Sequence, residues 1–239
     1  MSKQETAKTP KSGRDLFIQS LYPRYVSHVF PPADRRTLER VRAMAPLCGD
    51  QRGRLLSIGA GNLTEPRALR EHGFTVTVGD VVAEMMEQAV TEGFETLLVD
   101  LDGPDPIPGR YECICCMGVL EHLVNPLMAI GKLMEAMVPG GKLFVSLPDE
   151  FHLLARLRIL GGRPGFNHYN WHHLRFFNLK AAHERFDAAG VRIVRTVHLP
   201  LVPPHRLVKL RRLWQGLANA WPSLFAAGHL FLLENKNEP

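Results

Sequence analysis

The feature that most limits the possible folds is a regular alternation of strand-like and helix-like segments between residues 54 and 147. Five short apolar runs are separated by turns and by segments whose apolar residues have helical spacing. These runs are residues 54–58, 74–78, 95–99, 111–117 and 142–147. The alternation predicts an α/β fold in which a mostly parallel sheet carries helices on both faces. In such a sheet, ligands bind beyond the carboxyl ends of the strands.

Helices are expected between the strands and also before them. Residues 1–14 are polar and lack the apolar run of a signal peptide, which predicts a disordered tail. Residues 15–52 are expected to contain two helices. The predicted helices up to residue 150 lie at 15–28, 32–45, 64–71, 81–91 and 125–138.

After residue 150 the alternation breaks down. The predicted elements there are helices at 151–160 and 179–189, a long loop at 161–175, and strands at 191–199 and 229–234. We interpret residues 15–239 as one domain with its core at 53–150. Residues 151–239 form a second, more irregular part of that domain.

The charge of the chain is concentrated in this second part. Residues 151–239 contain thirteen Arg and Lys but only four Asp and Glu, whereas the whole chain has a net charge of +5. Such a balance is typical of a protein that meets an anionic substrate, nucleic acid or an acidic membrane, or of a solvated face. No recognisable nucleic-acid-binding module is present, which argues against a nucleic-acid partner.

An amphipathic segment at 203–227 carries some of this positive charge. Leu207, Leu210, Leu213, Trp214 and Leu217 form an apolar stripe at helical spacing. This stripe is expected to pack on its own domain, and peripheral membrane contact is left open. No run of about 18 apolar residues occurs, so no spanning helix is predicted.

Three of the four cysteines fall on one predicted strand. Cys113, Cys115 and Cys116 are too close in sequence for ordinary disulfides, and they lack the spacing typical of metal ligands. They are interpreted as small, reduced core residues, which favours a cytoplasmic protein.

A glycine-rich turn and an acidic residue follow the first two strands. Gly59 and Gly61 lie just before a predicted helix, where glycine lets the backbone approach a ligand. Asp80 ends the next strand, and a carboxylate there can accept hydrogen bonds from ribose hydroxyls or cap the following helix. These features indicate an adenosine ligand, and both a nicotinamide cofactor and S-adenosylmethionine remain open at this point.

Five ordered motifs resemble those of class I S-adenosylmethionine-dependent methyltransferases, above all the branch of methionine- and ubiquinone-biosynthesis enzymes. They are residues 55–61 (LLSIGAG), 76–80 (VTVGD), 99–102 (VDLD), 119–126 (VLEHLVNP) and 137–143 (MVPGGKL). The resemblance covers about residues 53–199. It implies a Rossmann-like seven-stranded sheet that is mostly parallel, with an antiparallel last strand.

The resemblance also implies the cofactor, S-adenosyl-L-methionine, with S-adenosyl-L-homocysteine as the product. The cofactor-binding residues that it implies are Ser57, Gly59, Ala60, Gly61, Asp80, Val81, Asp100, Leu101, Met117 and Gly118. Residues 151–239 then become the acceptor side of the domain.

Two residues depart from the first motif. The family usually has an acidic residue where this chain has Ser57, and commonly a glycine where it has Leu63. Losing a charge-assisted hydrogen bond costs about 1.5 to 3 kcal/mol, or roughly tenfold to a hundredfold in affinity. A weakened enzyme and a noncatalytic scaffold with the same fold both remain open.

Glu121 and His122 are the pair that ubiquinone-type relatives use at a metal, together with an acid three positions earlier. Gly118 occupies that third position here. No metal is therefore predicted. His122 is a candidate base or positioning group, and a purely packing role is the alternative.

The loop at 166–177 contains three histidines and several aromatic residues. It is interpreted as a lid over the acceptor, with simple packing and metal binding as alternatives. His168 and His173 join His122 as candidate catalytic bases. The candidate acceptor-binding residues are Tyr169, Trp171, His172 and Arg175.

The predicted function is methyl transfer to a small-molecule acceptor, with O-methylation in secondary or cofactor metabolism favoured. The alternatives are N- or C-methylation of a small molecule, methylation of RNA or protein, and a noncatalytic scaffold. A nicotinamide oxidoreductase is a further rival. A homodimer is also left open.

Overall fold

The seven strands found in the described residues form a single sheet. The computed structural model describes residues 35–48, 53–164, 173–201 and 210–236. The strands are β1 (Arg54–Ile58), β2 (Thr75–Asp80), β3 (Glu95–Leu98), β4 (Tyr111–Met117), β5 (Met137–Pro148), β6 (Val191–Pro200) and β7 (Ala226–Asn235). Their order in the sheet is β3-β2-β1-β4-β5-β7-β6.

The pairing of the strands confirms the predicted topology. The neighbours from β3 through β5 are all parallel. β7 runs antiparallel to both β5 and β6. The order reverses between β1 and β4, which is the point where open α/β sheets form their ligand crevice.

Helices cover both faces of the sheet. They are α1 (Arg35–Met44), α2 (Thr64–Glu71), α3 (Ala83–Thr91), α4 (Pro126–Glu135), α5 (Leu153–Leu160), α6 (Leu179–Ala188), α7 (Arg211–Ala220) and α8 (Pro222–Phe225). Short 3₁₀ turns follow α1 at Ala45–Cys48 and β4 at Leu120–His122. No helix among the described residues is both long enough and apolar enough to cross a bilayer.

The core is split into two layers by the alternation of side chains along the strands. On β1, Leu56 and Ile58 face the layer that α4 and α6 cover. Leu55 faces the opposite layer, which α1, α2 and α3 cover. Burying each such aliphatic side chain contributes about 1.5 to 3 kcal/mol. The two layers therefore fix the strand ends on which any ligand site depends.

The cysteines behave as predicted. All four are free and buried. Burial raises the pKa of the Cys115 thiol to about 11, so it remains protonated at neutral pH. These residues are part of the core.

The predicted boundaries on either side of the Pro-Gly-Gly sequence were wrong. Strand β5 begins at Met137 and not at residue 142, and α4 ends at Glu135 and not at residue 138. The Pro-Gly-Gly sequence at 139–141 was read as a stop. It instead lies in an irregular part of β5, where the register with β4 shifts between Tyr111 and Cys113.

Several predictions lie outside the described residues. These are the tail at 1–14, the helix at 15–28, and residues 203–209 of the amphipathic segment. The described part of that segment packs only partly on the domain, because Ala218 is buried while Leu213 is 56% exposed.

Candidate active site at the carboxyl edge of the sheet

The turn after β1 has a backbone that only glycine adopts easily. Gly59 has a φ of +91° and Gly61 a φ of +50°. The Gly59 amide donates a hydrogen bond to the Gly79 carbonyl at 2.8 Å, which ties the turn to β2. A Cβ on Gly61 would meet no atom within 4 Å. The turn thus leaves open space for a ligand directly above its backbone.

Leu63 keeps the left-handed conformation of the glycine that it replaces. Its φ is +60°, the only positive value for a non-glycine residue in the described ranges. Such strain costs about 1 to 3 kcal/mol. The side chain is only 1% exposed, and its burial offsets that cost. The departure at residue 63 therefore preserves the path of the turn.

Asp80 joins the first two turns of the site. Its Oδ2 accepts a hydrogen bond from the Ala60 amide at 2.7 Å, and its Oδ1 accepts one from the Val82 amide at 2.9 Å. Burial raises the pKa of this carboxyl, and the backbone donors, which include Val81, oppose that rise. Asp80 therefore connects the turn after β1 with the turn after β2. Binding of a ribose by the remaining lone pairs of its carboxyl group stays a prediction.

The other predicted cofactor residues lie at the ends of β3 and β4. Leu101 and Met117 are buried, and Asp100 is half-buried. Gly118 has a φ of +72°, and its amide donates to the Ser146 carbonyl at 3.2 Å. All ten predicted cofactor residues lie in the described chain, at or directly after the carboxyl ends of four adjacent strands.

Ser57 is completely buried and contacts a carboxyl group that sequence analysis missed. Its Oγ donates a hydrogen bond to Oε1 of Glu65 at 2.9 Å. Glu65 lies in the first turn of α2. Burial raises its pKa to about 7, against the opposing effects of Arg40 and of the Ser57 hydrogen bond.

Arg40 is the second residue that the sequence did not reveal. Its Nη1 donates to the Ser146 hydroxyl at 3.3 Å and its Nη2 to Thr37 Oγ1 at 2.7 Å. Its Nε is buried without a hydrogen-bond partner. A Cβ on Gly118 would lie 3.5 Å from Arg40 Nη1. Since α1 contains four arginines, the sequence alone could not single this one out.

A buried cluster of acids and histidines forms the acceptor side. The carbonyl of Glu121 accepts hydrogen bonds from the Leu174 and Arg175 amides at 2.9 and 3.0 Å. These bonds draw the described end of the histidine loop onto the turn after β4. The rings of His122 and His173 then meet edge to face, with 4.8 Å between their centroids.

Glu150 holds His173 in place. Its Oε1 makes a short hydrogen bond with Nδ1 of His173. Its Oε2 accepts from the Phe177 amide at 3.3 Å. Glu150 and His173 are both nearly buried as side chains. A carboxylate on Nδ1 fixes the tautomer and directs Nε2 outward.

Glu121 is itself a buried acid, and its Oε2 has no hydrogen-bond partner. Burial raises its pKa to about 7, while the positive charge of His173 and Arg40 would lower it. Its protonated form is therefore well populated near neutral pH.

Glu121, His122 and His173 could together hold a metal ion. Their ligand atoms all lie within 4.8 Å of one another. His173 would be the third ligand, and the sequence did not place it beside Glu121 and His122. In a tetrahedral zinc site, ligand atoms about 2.1 Å from the ion lie roughly 3.4 Å apart, so this group is loose for zinc. The absence of a metal stays our prediction.

The remaining acceptor-side predictions are only partly covered. Arg175 donates to the Val124 carbonyl at 2.6 Å, which fixes it near the turn after β4. His168, Tyr169, Trp171 and His172 lie outside the described residues. The lid therefore stays a prediction.

A sequence profile of the family described as "Methyltransferase domain" matches residues 25–196, well over half of the chain. The chain therefore belongs to this methyltransferase family, and the class I S-adenosylmethionine-dependent membership predicted from five motifs is confirmed. The ubiquinone biosynthesis O-methyltransferase of Xylella fastidiosa is 30% identical over 133 residues, or 52% of each chain. The chain thus spans about half the length of the curated relatives it matches.

Solved structures share the fold. An S-adenosylmethionine-dependent methyltransferase of Clostridium acetobutylicum has a TM-score of 0.60 at 9% identity, over 90% of this chain and 96% of that one. The magnesium protoporphyrin IX methyltransferase of Synechocystis, with bound S-adenosylhomocysteine, has a TM-score of 0.60 at 16% identity, over 93% and 97%. At these identities the likeness concerns the fold.

Proposed function

We propose that the protein transfers the methyl group of S-adenosylmethionine to a hydroxyl group of a small molecule. The observation that carries this proposal is the Glu150–His173 pair, which presents a fixed imidazole beside His122 at the same sheet edge as the glycine turn. The printed name of the Xylella relative, an O-methyltransferase, supports the choice of oxygen.

The residues of the donor side fit the cofactor. Asp80 is placed for the ribose hydroxyls at the end of β2, and the open space above Gly61 suits a ligand close to the backbone. The unpartnered Nε of Arg40 suits the carboxylate of an amino acid. When bound, the cofactor supplies a methyl group that is already activated by its sulfonium.

The protein's main task is then to align the acceptor oxygen with that methyl group. Alignment alone can supply on the order of 7 to 11 kcal/mol. In this arrangement Nε2 of His173 would accept the proton of the acceptor hydroxyl. Glu150 keeps Nδ1 protonated throughout. A general base of this kind contributes about 10²- to 10⁴-fold.

We also propose that the acceptor is apolar and is met at an anionic membrane surface. Leu154, Leu157 and Leu160 of α5 are 51%, 53% and 83% exposed. The side chain of Arg156 links α5 to α8 by donating to the Ser223 carbonyl at 3.3 Å. Leu213 and Trp221 are exposed as well. Exposed apolar side chains within a basic part of the chain favour such peripheral contact.

Within this proposal the protein acts in the cytoplasm on a small molecule, without nucleic acid. A homodimer stays open.

The test is incubation with S-adenosylmethionine carrying a labelled methyl group and a matched panel of catechol, aniline and thiophenol. We expect label in the catechol product. His183 is exposed on α6, so the control variant His183→Gln should transfer the label as the wild type does. Label in aniline alone would overturn oxygen as the acceptor atom. No transfer to any acceptor at saturating cofactor would favour the scaffold.

A further inference from the structure

We propose that Glu65, held by Ser57, is the carboxyl group that recognises the cationic ammonium at the amino-acid end of the cofactor. The inference rests on the proposed use of S-adenosylmethionine. It assigns a binding role to a residue outside the five motifs. It also assigns Ser57 an indirect role, as the hydroxyl that orients this carboxyl group.

The first argument is the contact between the two side chains. Ser57 lies two residues before the glycine turn, and Glu65 lies four residues after it. Ser57 is 0% exposed, so its hydroxyl is sealed from any ligand, and it donates to Glu65 Oε1 at 2.9 Å. Glu65 keeps 8% of its surface exposed. Of the two residues, only Glu65 therefore retains any exposed surface.

The second argument is the uncompensated burial of this carboxyl group. Buried acids are rare unless they are paired with a cation. Among the described residues, no salt bridge within 4 Å reaches Glu65. Its nearest positive charge is Arg40, whose effect is too weak to offset burial. A small bound cation would supply the missing partner.

The third argument is the side of the turn on which Glu65 lies. The charge of Glu65 raises the pKa of the Cys115 and Cys116 thiols of β4. Arg40, which lowers the pKa of Glu65, lies near Gly118 directly after β4. These interactions connect Glu65 with β4, whereas Asp80 ends β2 on the other side of β1. Asp80 is suited to the ribose end of the cofactor, which leaves the amino-acid end for Glu65.

Glu65 and Arg40 also match the charges of an amino acid. The cofactor's α-amino acid end is a zwitterion with one ammonium and one carboxylate. The carboxyl group of Glu65 and the guanidinium of Arg40 interact electrostatically, and together they present the complementary pair of charges. Neither a nucleotide phosphate nor a second ribose would make use of both.

Binding of an ammonium by Glu65 should release protons. The pKa of Glu65 is raised to about 7, so the free protein carries a partly protonated carboxyl at pH 7. A nearby ammonium favours the ionised form, so part of that proton is lost on binding. The groups that face Glu65 are Arg40, Ser57, Cys115 and Cys116. Of these, Arg40 stays protonated at neutral pH and Ser57 does not titrate, and the raised pKa values of both thiols keep them protonated.

The test compares two ligands that differ only at the amino-acid end. S-adenosylhomocysteine carries that end, whereas 5′-methylthioadenosine lacks it. Measured by calorimetry, Glu65→Gln should lower the affinity for S-adenosylhomocysteine about tenfold to a hundredfold. The affinity for 5′-methylthioadenosine should change less than about twofold. Asp80→Asn is the matched control, and it should weaken both ligands. Glu65→Asp, which keeps the charge on a shorter side chain, should keep more of the affinity for S-adenosylhomocysteine than Glu65→Gln.

Proton release gives an independent readout. Titrations of wild-type protein with S-adenosylhomocysteine at pH 7, in two buffers of different ionisation enthalpy, should show proton release that Glu65→Gln abolishes. The inference fails if Glu65→Gln weakens both ligands equally, or weakens neither while the wild type binds both. If the wild type binds neither ligand, the proposed function fails with it. Thermal unfolding checks that each variant is folded.

Discussion

The donor side and the acceptor side of this site are built in different ways. On the donor side, each predicted residue directly follows the strand that positions it, as Gly59 follows β1 and Asp80 ends β2. On the acceptor side, His173, Glu121 and Glu150 come from three separate segments and meet only in the folded chain. A ligand site that depends on turns is readable from local sequence, whereas one that depends on side-chain contacts across the fold is not.

The two sides also handle buried charge differently. Asp80 is surrounded by backbone donors from two loops. The acceptor side instead pairs acids with histidines, both at Glu150 with His173 and at Asp149 with His229, where Nε2 lies 3.1 Å from Oδ2. Backbone donors stabilise the ionised form of a carboxyl group, whereas imidazoles can exchange protons. This difference suits binding on one side and chemistry on the other.

The largest expected effect is on the acceptor side. His173→Gln should lower kcat by about 10²- to 10⁴-fold, because it removes the base that Glu150 orients. The affinity for S-adenosylhomocysteine should stay within about twofold, since the donor side is untouched. Steady-state kinetics and calorimetry measure the two quantities, with His183→Gln as control. Equal losses in both would show that the two sides are not separable.

The second prediction concerns stability and pH. The folded-state pKa of Glu121 is raised to about 7 from an ordinary 4.5, so its burial destabilises the fold as pH rises from about 4.5 through 7. Glu121→Gln should therefore raise the free energy of unfolding by up to roughly 3 kcal/mol at pH 8 and change it little at pH 4. Urea unfolding at both pH values measures it. A variant that is less stable at pH 8 would contradict this reading.

The third prediction returns to the donor side. Asp80→Asn should lower the affinity for S-adenosylhomocysteine about a hundredfold, because it removes the charge from a carboxylate that braces the turns and that is proposed to bind the ribose. Asp102→Asn is the matched control, since Asp102 accepts the Val124 and Asn125 amides at the outer rim. Calorimetry gives both affinities. Unchanged binding in Asp80→Asn would remove the adenosine site from β2.

The smallest expected effect is that of a chelator. Dialysis against a strong chelator should change kcat by less than about twofold, because Gly118 offers no ligand and Arg40 already brings positive charge beside Glu121. A loss of activity that zinc or magnesium restores would instead make Glu121, His122 and His173 a metal centre.

Much of the fold was predictable because its pattern is local. The bounds of β1, α2 and β4 were correct to the residue, since a glycine follows each of them within two residues. The start of β5 was not predictable, because the Pro-Gly-Gly turn signal at 139–141 was overridden by pairing with β4. Tertiary pairing outweighed local propensity there.

The donor side of the candidate site was largely predictable, because glycines and acids at strand ends indicate a ligand directly. Glu65 and Arg40 lie on helices, where an acid or an arginine is ordinary, and only burial distinguishes them. Glu150 directly follows Asp149, and the sequence does not say which of the two acids meets His173.

A crystal structure with bound S-adenosylhomocysteine tests most directly the claim that donor and acceptor sides meet at one edge of the sheet. The account predicts the ribose on Asp80, the ammonium on Glu65 and the thioether sulfur facing the cleft beside His122 and His173. A ligand whose sulfur points away from His173, or whose ribose does not contact Asp80, would contradict it.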